Sequence, residues 1–229
     1  MGAGVIFAAQ GRVHGLTTAA ALWSAMATGL CVGMGATGLA LALVAVTMLF
    51  LGPANWVADI MRLETRPAPG MRLDLLLISE DGQKRTAVEL KYLTRLWTGE
   101  FAGERFELKD QGAQDIRAHD VVKDIVRVEK FVAAMPGSNG AVVCVGNDPS
   151  YWNAPTHGRP TNADAFRLHE STVLHGPRAW GPLTGAGTSR GREEPLALVG
   201  TYRMAWSDYS TLPGPRGVFR TLVVEVPGG

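Results

Sequence analysis

The sequence predicts a mixed α/β sheet domain preceded by a pair of membrane-crossing helices. Three observations predict it. Residues 1–52 hold no Asp or Glu, and Arg12 is their only Lys or Arg. Further on, Ala118, Val121, Val122, Ile125, Val128 and Val132 form an apolar stripe at helical spacing. Around that stripe lie segments with strand patterns: two joined by Asp81-Gly82, and the apolar run Gly140–Val145. The order strand, strand, helix, strand indicates a mixed sheet with helices packed on it.

From Gly15 to Gly52 no side chain is charged. A spanning helix needs about 20 apolar residues, so this run is long enough for two. Leu16–Val32 and Leu39–Leu51 are the expected cores, broken at Gly33–Gly38. Two spans return the chain to its starting side. Arg12, Arg62 and Arg66 then share that side, which positive-inside reasoning makes cytoplasmic. A buried helical hairpin in a soluble protein is the alternative. The expected organisation is a transmembrane hairpin over 1–52, a linker over 53–70 and an α/β domain over 71–229.

The whole chain carries 22 Lys and Arg against 21 Asp and Glu, and with Arg12 set aside the rest is balanced. A nucleic-acid partner would therefore need a local basic patch, since the net field gives no steering. Cys31 and Cys144 lie in unlike settings and show no metal-ligand spacing, so both read as reduced packing residues.

In the linker, Trp56–Leu63 reads as a short helix closed by Pro67-Ala-Pro-Gly70. Met71–Tyr92 reads as a hairpin. Asp81-Gly82 is a favoured two-residue turn, and centring the turn there sets Asp74 opposite Glu89. Opposed strand residues share a face, with Cβ atoms roughly 4.5–5.5 Å apart. Like charges so placed repel unless something joins them, and Lys91 shares their face. Two carboxylates and an amine in this arrangement point to a divalent cation held by oxygen ligands. Leu75, Leu77, Val88 and Leu90 would supply the opposite, buried face.

Arg95–Asp110 reads as a loop in which Trp97, Phe101 and Phe106 alternate with Arg95, Arg105 and Lys109. Such interleaving can grip a nucleic-acid backbone and stack bases; the plainer reading is a loop pinned to the core. Gln114–Met135 is the clearest helix, ended by Pro136-Gly137. Asp120, Asp124 and Arg127 lie off the stripe and read first as a solvated charged face, or else as support behind the metal. After the strand Gly140–Val145, Asn147 and Asp148 either hold a turn or touch a ligand. Asn153–Pro195 is rich in Gly, Pro and Arg, and its histidines have no ligand spacing. Leu196–Trp206 and Val218–Val226 are the last expected strands.

Two resemblances follow from these motifs. Gly2-Ala-Gly-Val-Ile-Phe7 and Val13-His-Gly-Leu-Thr-Thr-Ala-Ala-Ala-Leu-Trp23 resemble the MgtC/SapB family over about the first 50 residues. That resemblance implies a bacterial inner-membrane protein linked to magnesium limitation. Asp74, then Glu89-Leu90-Lys91, then a helix and a strand resemble the PD-(D/E)XK nuclease superfamily over about residues 71–145. It implies a restriction-endonuclease-like mixed sheet with flanking helices, and Mg²⁺- or Mn²⁺-dependent hydrolysis of phosphodiester bonds, in DNA rather than RNA. Asp74, Glu89 and the main-chain carbonyl of Leu90 would hold the metal, and Lys91 would orient water or stabilise developing charge. Glu64, Asp124 and Arg127 are candidates to support them from behind; Arg95, Arg105, Asn147 and Asp148 are candidate substrate contacts. Leu73 stands where a proline is usual. The alternatives are a membrane protein carrying the soluble part as a passenger, and a non-catalytic binding module of the same fold.

Overall fold

The computed structural model describes residues 7–9, 12–14, 61–67, 71–79, 81–101 and 104–228. The chain divides into two compact units, Met1–Gln83 and Lys84–Gly229. Both expected membrane spans lie outside the described residues. Among the described residues, no helix is long and apolar enough to cross a membrane.

In the first unit, β1 (Phe7–Ala9) pairs antiparallel with β2 (Arg12–His14). β3 (Met61–Thr65) pairs antiparallel with β4 (Leu73–Ile78), with Leu63 level with Leu75 and Thr65 level with Leu73. β3 corrects the short helix expected over Trp56–Leu63, of which residues 56–60 lie outside the described residues. Met61, Leu63 and Thr65 alternate with Arg62 and Glu64, a two-residue period, and β4 offers the hydrogen-bonding edge.

The turn after β4 also differs from expectation. The Gly82 N–H donates to the Ser79 carbonyl at 2.8 Å, so the four-residue turn runs from Ser79 to Gly82. Gly82 takes its last position, with φ +69°, where the lack of a Cβ removes the penalty. Asp81 braces the turn by accepting from Ser79 Oγ at 2.6 Å and from the Gln83 N–H at 3.0 Å. The centre is thus one residue earlier than Asp81-Gly82. The expected facing of Asp74 and Glu89 rests on the later centre, so the turn does not by itself bring Asp74 opposite Glu89.

The second unit is a mixed α/β domain with few helices. It begins with β5 (Arg85–Leu93), β6 (Trp97–Phe101) and β7 (Glu104–Leu108), followed by α1 (Gln114–Ala134) and β8 (Ser138–Gly146). Two 3₁₀ turns, Pro149–Tyr151 and Asp164–Phe166, lead to β9 (Val173–Arg178) and a single turn of helix, α2 (Ala186–Ser189). β10 (Leu196–Arg203), β11 (Trp206–Thr211) and β12 (Val218–Val226) complete it. β5 runs parallel to β8, with α1 as the crossover; β12 is antiparallel to β8 and to β11. Separate antiparallel pairs are β6 with β7 and β9 with β10.

α1 packs on β5 and β8 and also on β10. Val121, Val122, Ile125 and Val128 are fully buried, against Ala87, Val142, Cys144 and Leu222. Each such side chain contributes about 1.5–3 kcal/mol. The approach is closest at Gly140. A Cβ there would collide with Val128 Cγ1 and stand 2.7 Å from the Ala87 carbonyl oxygen. Ala87 and Gly140 are small because the helix lies directly on them.

Four further points differ from expectation. Arg95–Asp110 is largely the β6–β7 hairpin rather than a loop. Asn153–Pro195 contains β9. The late strand expected over Leu196–Trp206 is β10, and Trp206 opens β11. The faces of β5 are also exchanged: Ala87 and Glu89 are buried under α1, whereas Leu90 is 43% exposed.

Candidate functional site

β5 alternates, so Glu89 and Lys91 point one way and Leu90 the other. The helix α1 receives both polar side chains. Glu89 Oε1 accepts from Arg127 Nη1 at 2.8 Å. The same nitrogen is 3.1 Å from Asp124 Oδ1, and Lys91 Nζ is 2.7 Å from Asp124 Oδ2. Four charged groups thus form a chain, Glu89–Arg127–Asp124–Lys91, between β5 and α1. Glu89 is 1% exposed and Asp124 2% exposed. Buried carboxylates are tolerated only when paired and hydrogen-bonded, and here each has a cation within contact.

Asp124 and Arg127 therefore do not form a solvated face. They lie three residues apart, on adjacent turns of α1, and lock onto the Glu89-Leu90-Lys91 strand. Asp120, one turn earlier on α1, is 3.6 Å from His119 Nδ1 and 4.0 Å from Arg117 Nη1. Burial raises its carboxyl, but the neighbouring His119 side chain and the charges of Lys91 and Arg192 outweigh that and hold it below 3.8. Cys144 lies level with Lys91 in the parallel ladder. Burial, with Asp124's charge adding and Lys91's opposing, pushes its thiol up to about 12. Cys144 is thus a neutral, buried packing group at physiological pH.

Asp74 lies on β4 and is half-buried. Glu64 stands on β3 between Leu63, level with Leu75, and Thr65, level with Leu73.

Of the four candidate substrate contacts, Arg95, Asn147 and Asp148 come together and Arg105 does not join them. Asn147 is 1% exposed. Its Oδ1 accepts from the Arg95 N–H at 2.7 Å, and its Nδ2 donates to the carbonyls of Arg95 (3.3 Å) and Arg216 (2.9 Å). Asn147 is a backbone staple. Asp148 accepts from the Ser150 N–H at 3.1 Å and from Gln114 Nε2 at 3.3 Å, capping the first 3₁₀ turn and tying it to α1. Arg95 Nε pairs with Asp110 at 3.2 Å and lies 3.9 Å from Asp148. Arg105 is exposed on β7, level with Glu100. Trp97 is buried, donates to the Pro213 carbonyl at 3.0 Å and meets Phe219 edge-on, so it pins the hairpin to the core.

Among the described residues, no group of three or more His, Cys, Asp or Glu is placed to hold a metal. The donor chemistry of Glu89 and Asp124 nonetheless suits a hard cation: two buried carboxylates share one positively charged nitrogen. The Arg127 guanidinium occupies that shared position.

Sequence reasoning missed two features. Glu129 is buried on α1 and accepts from the N–H groups of Val199 (3.0 Å) and Gly200 (2.7 Å) and from Tyr202 Oη (2.8 Å). These amides belong to the irregularity in the β10–β9 register between Leu198 and Thr201. The other is an aromatic cavity built from Tyr151, Phe166 and Trp180. Its members are scattered over three loops, so no spacing betrays them.

Comparison with known proteins touches the N-terminal part. A family model described as the MgtC family matches residues 1–60 of the 229. No curated protein and no solved structure matches the chain. The match supports the MgtC-like character of the N-terminal part and, coarsely, its association with a membrane.

Proposed function

We propose that the α/β unit hydrolyses phosphodiester bonds in nucleic acid with the help of Mg²⁺ or Mn²⁺. The observation that supports this reading is the pairing of Glu89 and Lys91 on one face of β5, buried under α1 and braced by Asp124 and Arg127. The parallel β5–α1–β8 crossover followed by antiparallel β12 agrees with the restriction-endonuclease-like fold that the motif implies. A structural ion network would also account for the four charges, but hydrophobic packing at such a position is often as stable or more so. Retaining four charges there favours chemistry.

In this reading Glu89, with Asp74 assigned by the resemblance and the Leu90 carbonyl, supplies hard oxygen ligands. The cation, when bound, would polarise the phosphate and lower the pKa of water. Arg127 would yield its place on Glu89 and remain on Asp124. Lys91, positioned by Asp124, would then face the scissile phosphate and stabilise its developing charge.

The test is cleavage of end-labelled DNA and RNA by the full chain with Mg²⁺ or Mn²⁺. Lys91→Ala and Asp74→Ala should each lower the rate at least about 100-fold, the usual scale for a lost electrostatic contact. Absence of cleavage with either metal, or cleavage unchanged by both substitutions, would move the unit to the non-catalytic binding reading.

A second reading is favoured by the family match at residues 1–60. The protein would then act as an inner-membrane component in magnesium limitation, with the α/β unit on the cytoplasmic side. It predicts a magnesium-dependent growth phenotype that persists after removal of everything beyond Gly52.

A further inference from the structure

A cavity of about 690 Å³ lies beside the N-terminal turns of α1, lined by Tyr151, Phe166 and Trp180 together with Asp115, Asn162 and Thr188. This volume is in the range of small-molecule sites, about 300–1,000 Å³. Its aromatic wall is fixed. Phe166 stands 4.6 Å from Trp180, and His119 stacks on Trp180 at 5.4 Å with 15° between the planes. Two polar atoms on this wall are buried without a hydrogen-bond partner among the described residues: Tyr151 Oη and Trp180 Nε1. An indole N–H can only donate, so it is left without an acceptor among the described residues. Buried groups of this kind are normally satisfied.

The cavity adjoins a second, shallower hollow of about 540 Å³ that shares Arg167 and His169 with it and adds His157 and Arg159. The acid of this hollow, Asp164, is occupied: it accepts from Thr161 and pairs with Arg167 at 3.1 Å. A compartment with an aromatic wall and unmet hydrogen-bonding groups thus opens beside one that holds the exposed Arg159 and the Asp164–Arg167 pair.

We infer that these two compartments bind a nucleotide unit, its base against Trp180 and Phe166 and its phosphate against Arg159. A heterocyclic base supplies the flat face and the acceptor atoms, and its phosphate supplies the anion. The inference rests on residues separate from Glu89 and Lys91 and stands whether or not those residues hydrolyse anything. The unit has two sources, a free mononucleotide or one residue of a single strand.

The test is calorimetric titration of the full chain with the four ribonucleoside monophosphates, the matching nucleosides and a short single-stranded oligonucleotide. At least one monophosphate or the oligonucleotide should bind. A nucleoside should bind at least about tenfold more weakly than its monophosphate, and Arg159→Ala should erase that difference. Trp180→Phe keeps an aromatic ring, removes the N–H and should weaken binding about tenfold. Tyr151→Phe should also weaken binding, yet raise the melting temperature of the ligand-free chain, because it deletes an unpaired buried hydroxyl. Binding by monophosphates identifies a free nucleotide as the source; binding by the oligonucleotide alone identifies a strand. If neither binds at millimolar concentration, or if binding is indifferent to both Trp180→Phe and Arg159→Ala, the inference is overturned. Should Trp180→Phe fail to fold, the exposed Arg159 decides alone.

Discussion

Arg127 occupies the junction of the charge chain. Its Nη1 is the contact common to Glu89 and Asp124. Replacing it by a neutral side chain brings two buried acids together with less positive charge between them. Arg127→Met is expected to cost about 3 kcal/mol, the low end for a broken buried pair because the arginine is partly exposed. Added Mg²⁺ should restore part of this loss by binding the folded state, which thermal melts with and without the metal will show. Asp120 gives a separate acid response. Its folded carboxyl lies below the ordinary 3.8, so its contribution is fully present above that value and is lost as pH falls through the lowered one. The melting-temperature difference between the native chain and Asp120→Asn should stay constant from pH 7 to about 5 and close as pH falls below about 4. The sequence exposed these residues unevenly. The Glu89-x-Lys91 spacing on a strand was legible, because alternation fixes a shared face. The burial of Asp124 and Glu129 was not, because it depends on tertiary partners, Lys91 of β5 for Asp124 and β10 for Glu129, that the stripe alone does not show.

Among the elements, α1 organises the second unit. Its stripe predicted Gln114–Met135, and the helix spans Gln114–Ala134. β8 likewise contains the expected Gly140–Val145. Long periodic patterns and short apolar runs survive folding because burial reinforces them. β3, β6, β7 and β9 escaped notice for other reasons. β6 and β7 are short and mix charged with aromatic residues, and β9 carries Gly176 and Pro177, which read as loop chemistry. The ladder that forms them lies in the tertiary partner. Glu129 joins α1 to β10 where the pairing with β9 is irregular. Glu129→Ala would leave two backbone N–H groups and Tyr202 Oη without their acceptor. At about 1–3 kcal/mol for each unsatisfied group, the loss should reach about 3 kcal/mol by denaturant unfolding. Hydrogen exchange should quicken at Val199 and Gly200 before the rest of the sheet.

The molecule as a whole joins two regions of unlike chemistry. Its first 60 residues match the MgtC family. That likeness was legible in two contiguous runs, Gly2–Phe7 and Val13–Trp23, because neighbours in sequence carry it and no tertiary contact is needed to read it. Beyond residue 60, the charge chain is written in very few residues: Glu89 and Lys91 on β5, and Asp124 and Arg127 on α1. The Asp81-Gly82 turn pointed to a convergence of Asp74 with Glu89, but the turn closes from Ser79 to Gly82, so turn chemistry alone was too coarse to set that pair. The assignment now rests on the Glu89–Arg127–Asp124–Lys91 chain. The most direct measurement is therefore the Mg²⁺-dependent cleavage rate of the full chain against Glu89→Gln, an uncharged near-isostere. The native chain should cut nucleic acid only when the metal is present, and Glu89→Gln should be at least about 100-fold slower while melting as a folded protein. Equal rates in the two proteins, or no metal-dependent cutting by the native chain, would contradict the account.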